Sequence, residues 1–200
     1  MLRSTRTAAE HLGVSKRQVN RLAQAGLLVT DRLGDATLVS DRALEAARRT
    51  TGRGRRWAPH TAEAALELIQ SSETTLLGSA ERSRLRARIR AADASELAYQ
   101  LLPGRVSLWR RTGATPSTPS AIADRLGLAA DGGLAVIVAD DAAHRARALR
   151  LVHDTEGDVL IVEGADAHRL AWEALGLFAY GGTRESSAAR RWLQQQVRRL

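Results

Sequence analysis

The chain contains no cysteine, which excludes disulfides, thiol catalysis and cysteine-ligated zinc or iron–sulfur centres and leaves packing to supply its stability. No apolar run approaches the ~20 residues a helix needs to cross a bilayer. The sequence turns polar and charged from its first residues, so neither a secretory signal nor a membrane partner is expected, and a soluble cytoplasmic protein is. No glycine-rich phosphate cradle follows a strand pattern, and His144, His153 and His168 are not spaced to put two on one face beside an acid. Lysine is nearly absent too, Lys16 standing alone among 30 basic residues. At 200 residues and 44% hydrophobic composition, the chain is long and apolar enough to bury a core in one or two domains.

What is present is concentrated at the front. Thr5 to Ala25 reads as two short helices crossing over a tight turn: Ala9 is small where they meet, Gly13 suits a left-handed turn residue, and Ser15 can cap the second helix. Val14, Val19 and Leu22 lock the pair together, which turns Lys16, Arg17, Gln18, Asn20, Arg21 and Gln24 outward. Such side chains reach phosphates and base edges in a major groove, so double-stranded DNA is the expected partner, with Ser15 at the start of the recognition helix. Any amphipathic hairpin of helices gives a similar string; the continuation distinguishes this one. Leu27 to Val29 and Leu38-Val39 read as short strands around a turn at Asp31 to Asp35, followed by a helix from Asp41 to about Arg49 capped by Ser40. The pattern is that of a winged helix-turn-helix.

Charge follows the same division. Residues 1–60 hold 12 basic against 5 acidic side chains, a net of +7 out of the chain's +8, whereas residues 112–200 hold 10 against 11. The segment Arg48 to Trp57 carries five arginines and two glycines, and its Arg53, Arg55 and Arg56 suit a flexible arm tracking phosphates or entering a minor groove; a solvated linker is the plainer alternative.

Pro59 opens a helix over 61–70 that closes the DNA-binding unit, and Ser79 is placed to cap another, with Leu85 and Ile89 inward. Arg82, Arg84, Arg86, Arg88 and Arg90 spread over the rest of that helix, as phosphate contacts or as a solvated face. Asp93 caps a further helix over 94–102, stopped by Pro103-Gly104. Beyond it β-rich runs at 106–110, 134–139 and 159–163 alternate with helical patterns at 120–126, 142–152, 166–177 and 186–200. The fold class expected is mixed α/β: a winged helix-turn-helix over 1–70, a connecting helix over 71–92 and a small α/β domain over 93–200. The apolar runs Ala135 to Val138 and Val159 to Val162 suit strands covered on both faces.

Asp140 and Asp141 after a strand, and Asp154, Glu156 and Asp158 in a turn, are the candidates for catalysis or magnesium binding. An aspartate opening a helix is more simply a cap and Glu156-Gly157-Asp158 a turn, so no enzyme, metal or cofactor is expected.

Val39 to Leu44, Gly54 to Ala62 and Ser83 to Arg86 together resemble AbiEi-type antitoxins, as do Gly157 to Gly164 and Arg184 to Arg190. The resemblance implies a repressor that binds its own operon through the winged helix-turn-helix, and an α/β domain that counteracts a nucleotidyltransferase-type toxin. Two other regulators share such a front end: a ligand-sensing one, with an apolar pocket in the second domain, and an excisionase-like architectural protein that bends DNA.

Overall fold

The computed structural model describes residues 1–50, 52, 55–113, 121–128 and 133–200. The chain opens with strand β1 (Leu2–Ser4) and helices α1 (Thr5–Leu12) and α2 (Lys16–Gln24). Gly13 between the helices has φ of +66°, a left-handed turn that glycine adopts at no steric cost. Ser4 and Ser15 cap the two helices, each hydroxyl accepting from the backbone N–H three residues on at 3.2 Å. Strands β2 (Thr30–Leu33) and β3 (Ala36–Ser40) form a hairpin around Gly34-Asp35, and β1 pairs with the other side of β3, giving an antiparallel sheet in the order β1-β3-β2. Ser40 is fully buried and caps α3 (Asp41–Arg49) at 3.2 Å.

Two expectations shift here. Leu27 to Val29 is not a strand: Leu28 is 2% exposed and plugs the small core, and pairing with Val39 begins only at Thr30. Strand β1, whose three residues carry too short a pattern to read, completes the sheet.

Helices α4 (Pro59–Ser71), α5 (Ser79–Ala91) and α6 (Ala94–Leu101) follow, then β4 (Val106–Arg111), a 3-10 turn over Asp124–Leu126, β5 (Ala135–Ala139), α7 (Ala142–Ala148), β6 (Leu151–His153), β7 (Val159–Glu163), α8 (Arg169–Tyr180) and α9 (Thr183–Arg198). The helix expected over 120–126 is therefore only a 3-10 turn, and Ser120 lies outside the described residues. Ser79 is the first residue of α5 and not its cap; Gly78 takes that place and makes no side-chain bond. The helix expected over 142–152 ends at Ala148, because Arg150 takes a left-handed φ of +53° and turns the chain into β6. The second sheet runs β5-β7-β4-β6, with β5 and β7 parallel and the remaining pairs antiparallel. This is a mixed α/β protein.

Both faces of β7 are covered. Leu160 and Val162 meet α8 and the other helices in the large core, while Val159 and Ile161 face Ala142 and Ala146 of α7. Helix α8 is buried from Ala171 to Tyr180, at the centre of the large core. Residues Leu66, Leu68 and Ile69 of α4 and Leu85 and Ile89 of α5 lie in that same core. A separate, smaller core joins Ala8, Ala9, Val19, Leu28, Val39, Ala43 and Leu44. Helix α3 links the two: Arg42 donates to the Tyr180 carbonyl at 3.1 Å and Arg49 to that of Gly181 at 2.6 Å. Among the described residues no helix is long and apolar enough to cross a membrane.

Candidate nucleic-acid interface

Helix α2 presents one polar face. Val19 is fully buried against Ala8, Ala9 and Leu44, so its neighbours on the helix are forced outward. Ser15, Lys16, Arg17, Gln18, Asn20, Arg21 and Gln24 are all exposed, and no acidic residue stands on the helix. These are the seven side chains the sequence singled out on this helix. The positive pole of the helix dipole adds to Lys16 and Arg17 at its start. Beside them, Arg6 of α1 and Lys16 line a concavity of about 600 Å3 at the turn, with Glu10 as its acidic member.

The β2–β3 hairpin projects Arg32 and Leu33 at its tip, and Leu33 is 72% exposed. At the base of the sheet, Arg3 is paired with Asp41, the first residue of α3. The Arg3 guanidinium, with the N-terminal amine adding a smaller effect, holds the Asp41 carboxyl below the usual carboxylate range.

The basic arm is only partly as expected. Arg53 lies outside the described residues. Arg55 and Arg56 are exposed, yet Arg56 is tethered, its Nη1 donating to the Ala25 carbonyl at the end of α2 at 3.2 Å. The next residue, Trp57, donates its backbone N–H to Oε1 of the buried Gln100 at 2.9 Å. Earlier in the segment Arg49 is engaged by Glu45 at 3.2 Å as well as by Gly181, so it serves the fold. An arginine-rich stretch with two glycines gave no sign of this anchoring, because its partners Ala25, Gln100 and Gly181 are remote in sequence.

Of the five α5 arginines, Arg84 and Arg90 are exposed and the other three divide in two. Arg82 donates to the Thr74 carbonyl at 3.2 Å and Arg86 to that of Ser72 at 2.6 Å, fastening the segment that precedes the helix. Arg88 instead stands over the Trp57 ring, 5.6 Å from its centroid, beside Arg55 and Arg56.

Of the candidate carboxylates of the second half, Asp140 is exposed, while Asp141, Asp154 and Asp158 are occupied structurally. Asp141 caps α7, accepting the His144 backbone N–H at 2.8 Å, and that bond holds its carboxyl below the usual range. Asp154 pairs with Arg110 at 2.6 Å and Asp158 with Arg111 at 3.2 Å across the sheet edge. His153 packs edge-on against Trp109, His168 is buried and His144 is exposed. Among the described residues no three histidine or acidic side chains come together as a metal site.

No family model, curated protein or solved structure matches this chain.

Proposed function

We propose that the chain is a sequence-specific DNA-binding transcriptional regulator. Residues 1–49 act as a winged helix-turn-helix, with α2 in the major groove and the β2–β3 hairpin as the wing. The observation that carries this reading is the face of α2, where lysine, arginine, glutamine and asparagine are exposed together with no acid among them while Val19 anchors the opposite side. Arg17, Gln18 and Arg21 are assigned to base edges, since arginine pairs bidentately with guanine and glutamine with adenine. Ser15, Lys16, Asn20 and Gln24 fix the helix on the backbone, and Arg55 and Arg56 add sequence-independent phosphate contacts. The charge division supports the same assignment, with +7 in the first 60 residues. Selection from a random-sequence duplex library tests it: the reading expects a consensus to be enriched, and recovery of unselected sequence at every round contradicts it.

The antitoxin role follows from the resemblance described above. In that reading the α/β part counteracts a nucleotidyltransferase-type toxin while the front end represses the shared operon. Co-expression of the full chain with the toxin encoded beside it tests this; rescue of growth supports the role, and undiminished toxicity refutes it while leaving DNA binding untouched.

A further inference from the structure

Residues 55–58, the start of α4, Arg88 of α5 and the end of α6 surround a cleft of about 790 Å3 whose arginines are Arg55, Arg56, Arg88 and Arg105. Among the described residues no carboxylate lines it. Four arginines around one concavity raise the local potential, so the cleft favours an anion. Three of the four are held in place. Arg56 is bonded to the Ala25 carbonyl and Arg88 stands over Trp57. Arg105 sits over the Trp172 ring at 5.4 Å and donates to the Glu163 carbonyl at 3.3 Å. The wall behind them is fixed by the Trp57 to Gln100 hydrogen bond, with Gln100 6% exposed. The site is preformed, unlike a flexible arm.

Arginine forks match phosphate oxygens in pairs. Small-molecule sites enclose most of their ligand, whereas Arg55, Arg56, Ala58, Pro59 and Arg88 leave this rim exposed, which suits an extended phosphate backbone. The cleft also adjoins α2. Arg56 touches Ala25, and Pro103 on its wall precedes Gly104, whose N–H donates to the Gly26 carbonyl at 3.0 Å. Helix α2 is roughly 13 Å long from its nine residues, close to the ~12 Å width of a major groove. A duplex read by Arg17, Gln18 and Arg21 therefore brings its bounding backbone to the far end of that helix.

We propose that this cleft seats backbone phosphates of the same duplex, beside the groove that α2 reads. The proposal rests on the DNA-binding reading, and adds Arg88 and Arg105 to the contacts. Its test is the salt dependence of binding to a random-sequence duplex by the full chain, by R55Q/R88Q and by R17A/R21A. Removing two phosphate contacts should reduce the slope of log affinity against log salt by about 1.8. The charge-preserving R55K/R88K should keep most of the slope. If R55Q/R88Q does not fold by circular dichroism, Arg88→Gln alone, at an exposed position of α5, should lower the slope by about 0.9. An unchanged slope in the folded Gln variants, with R17A/R21A still weakening binding, overturns the cleft proposal and leaves the recognition helix standing. A full chain that binds no duplex at all removes both.

Discussion

The Arg56 guanidinium reaches back across the chain to the carbonyl of Ala25, the residue that closes α2, at 3.2 Å. One hydrogen bond thus ties the basic connector to the end of the helix assigned to base reading. Gly26 makes the neighbouring tie through Gly104. The cationic cleft and the polar face of α2 are held in a fixed relation, so a duplex would meet them together.

Replacing Gly26 by alanine should destabilise the protein. Gly26 has φ of +67°, and a Cβ there would lie 2.6 Å from the backbone nitrogen of Gly104, an atom that cannot rotate away. The left-handed conformation alone costs about 1–2 kcal/mol for an alanine, and the clash adds to it. Chemical denaturation should show the loss, accompanied by weaker DNA binding as α2 separates from the cleft.

Ser40→Ala should cost about 1–2 kcal/mol, in the upper part of the usual N-cap range because the position is fully buried. Ser15→Ala, on the exposed cap of α2, should cost less in global stability. Comparing the two by urea unfolding checks the order.

The Arg3–Asp41 pair gives a pH signature. Because the folded state depresses the Asp41 pKa below the ordinary value of 3.8, its contribution is present above that value and is lost as pH falls through the lower, folded pKa. D41N should therefore be less stable than the unmutated chain near neutrality, with the difference closing in strongly acidic solution. Both groups are half-buried and still reach solvent, so the effect should also shrink with added salt.

A fragment beginning at residue 93 should not fold as a unit. It lacks Leu66, Leu68, Ile69, Leu85 and Ile89, each 3% exposed or less in the core around α8. Burying five such side chains is worth roughly 8–15 kcal/mol, as much as the whole stability of an ordinary domain. A fragment from Ala58 onward keeps all five and should give a cooperative thermal transition; the shorter one should not.

Much of this was legible because the signals are local. Ser15, Ser40, Asp93 and Asp141 each cap the helix expected of them. The apolar run 159–162 announced a strand buried on both faces, and the spacing of Leu85 and Ile89 announced the buried side of α5. What such spacing could not announce was where α4 docks, since Leu66 reads the same against the first core as against the second. Strands β1 and β6 are three residues each and exist through pairing with distant β3 and β4. The face of α2 was readable from Val19 and its polar neighbours. The cleft was not, because Arg88 and Arg105 join Arg55 and Arg56 only through the packing of α5 and α6.

The most direct test of the central claim is the affinity of the unmutated chain and of a triple alanine variant at Arg17, Gln18 and Arg21 for a duplex selected from random sequence, measured by fluorescence anisotropy alongside circular dichroism. Each good base contact is worth about 1–3 kcal/mol. The account predicts that the variant folds normally, retains weak salt-dependent binding through the cleft and loses all preference for the selected sequence. Equal affinity and equal preference in a correctly folded variant would contradict it.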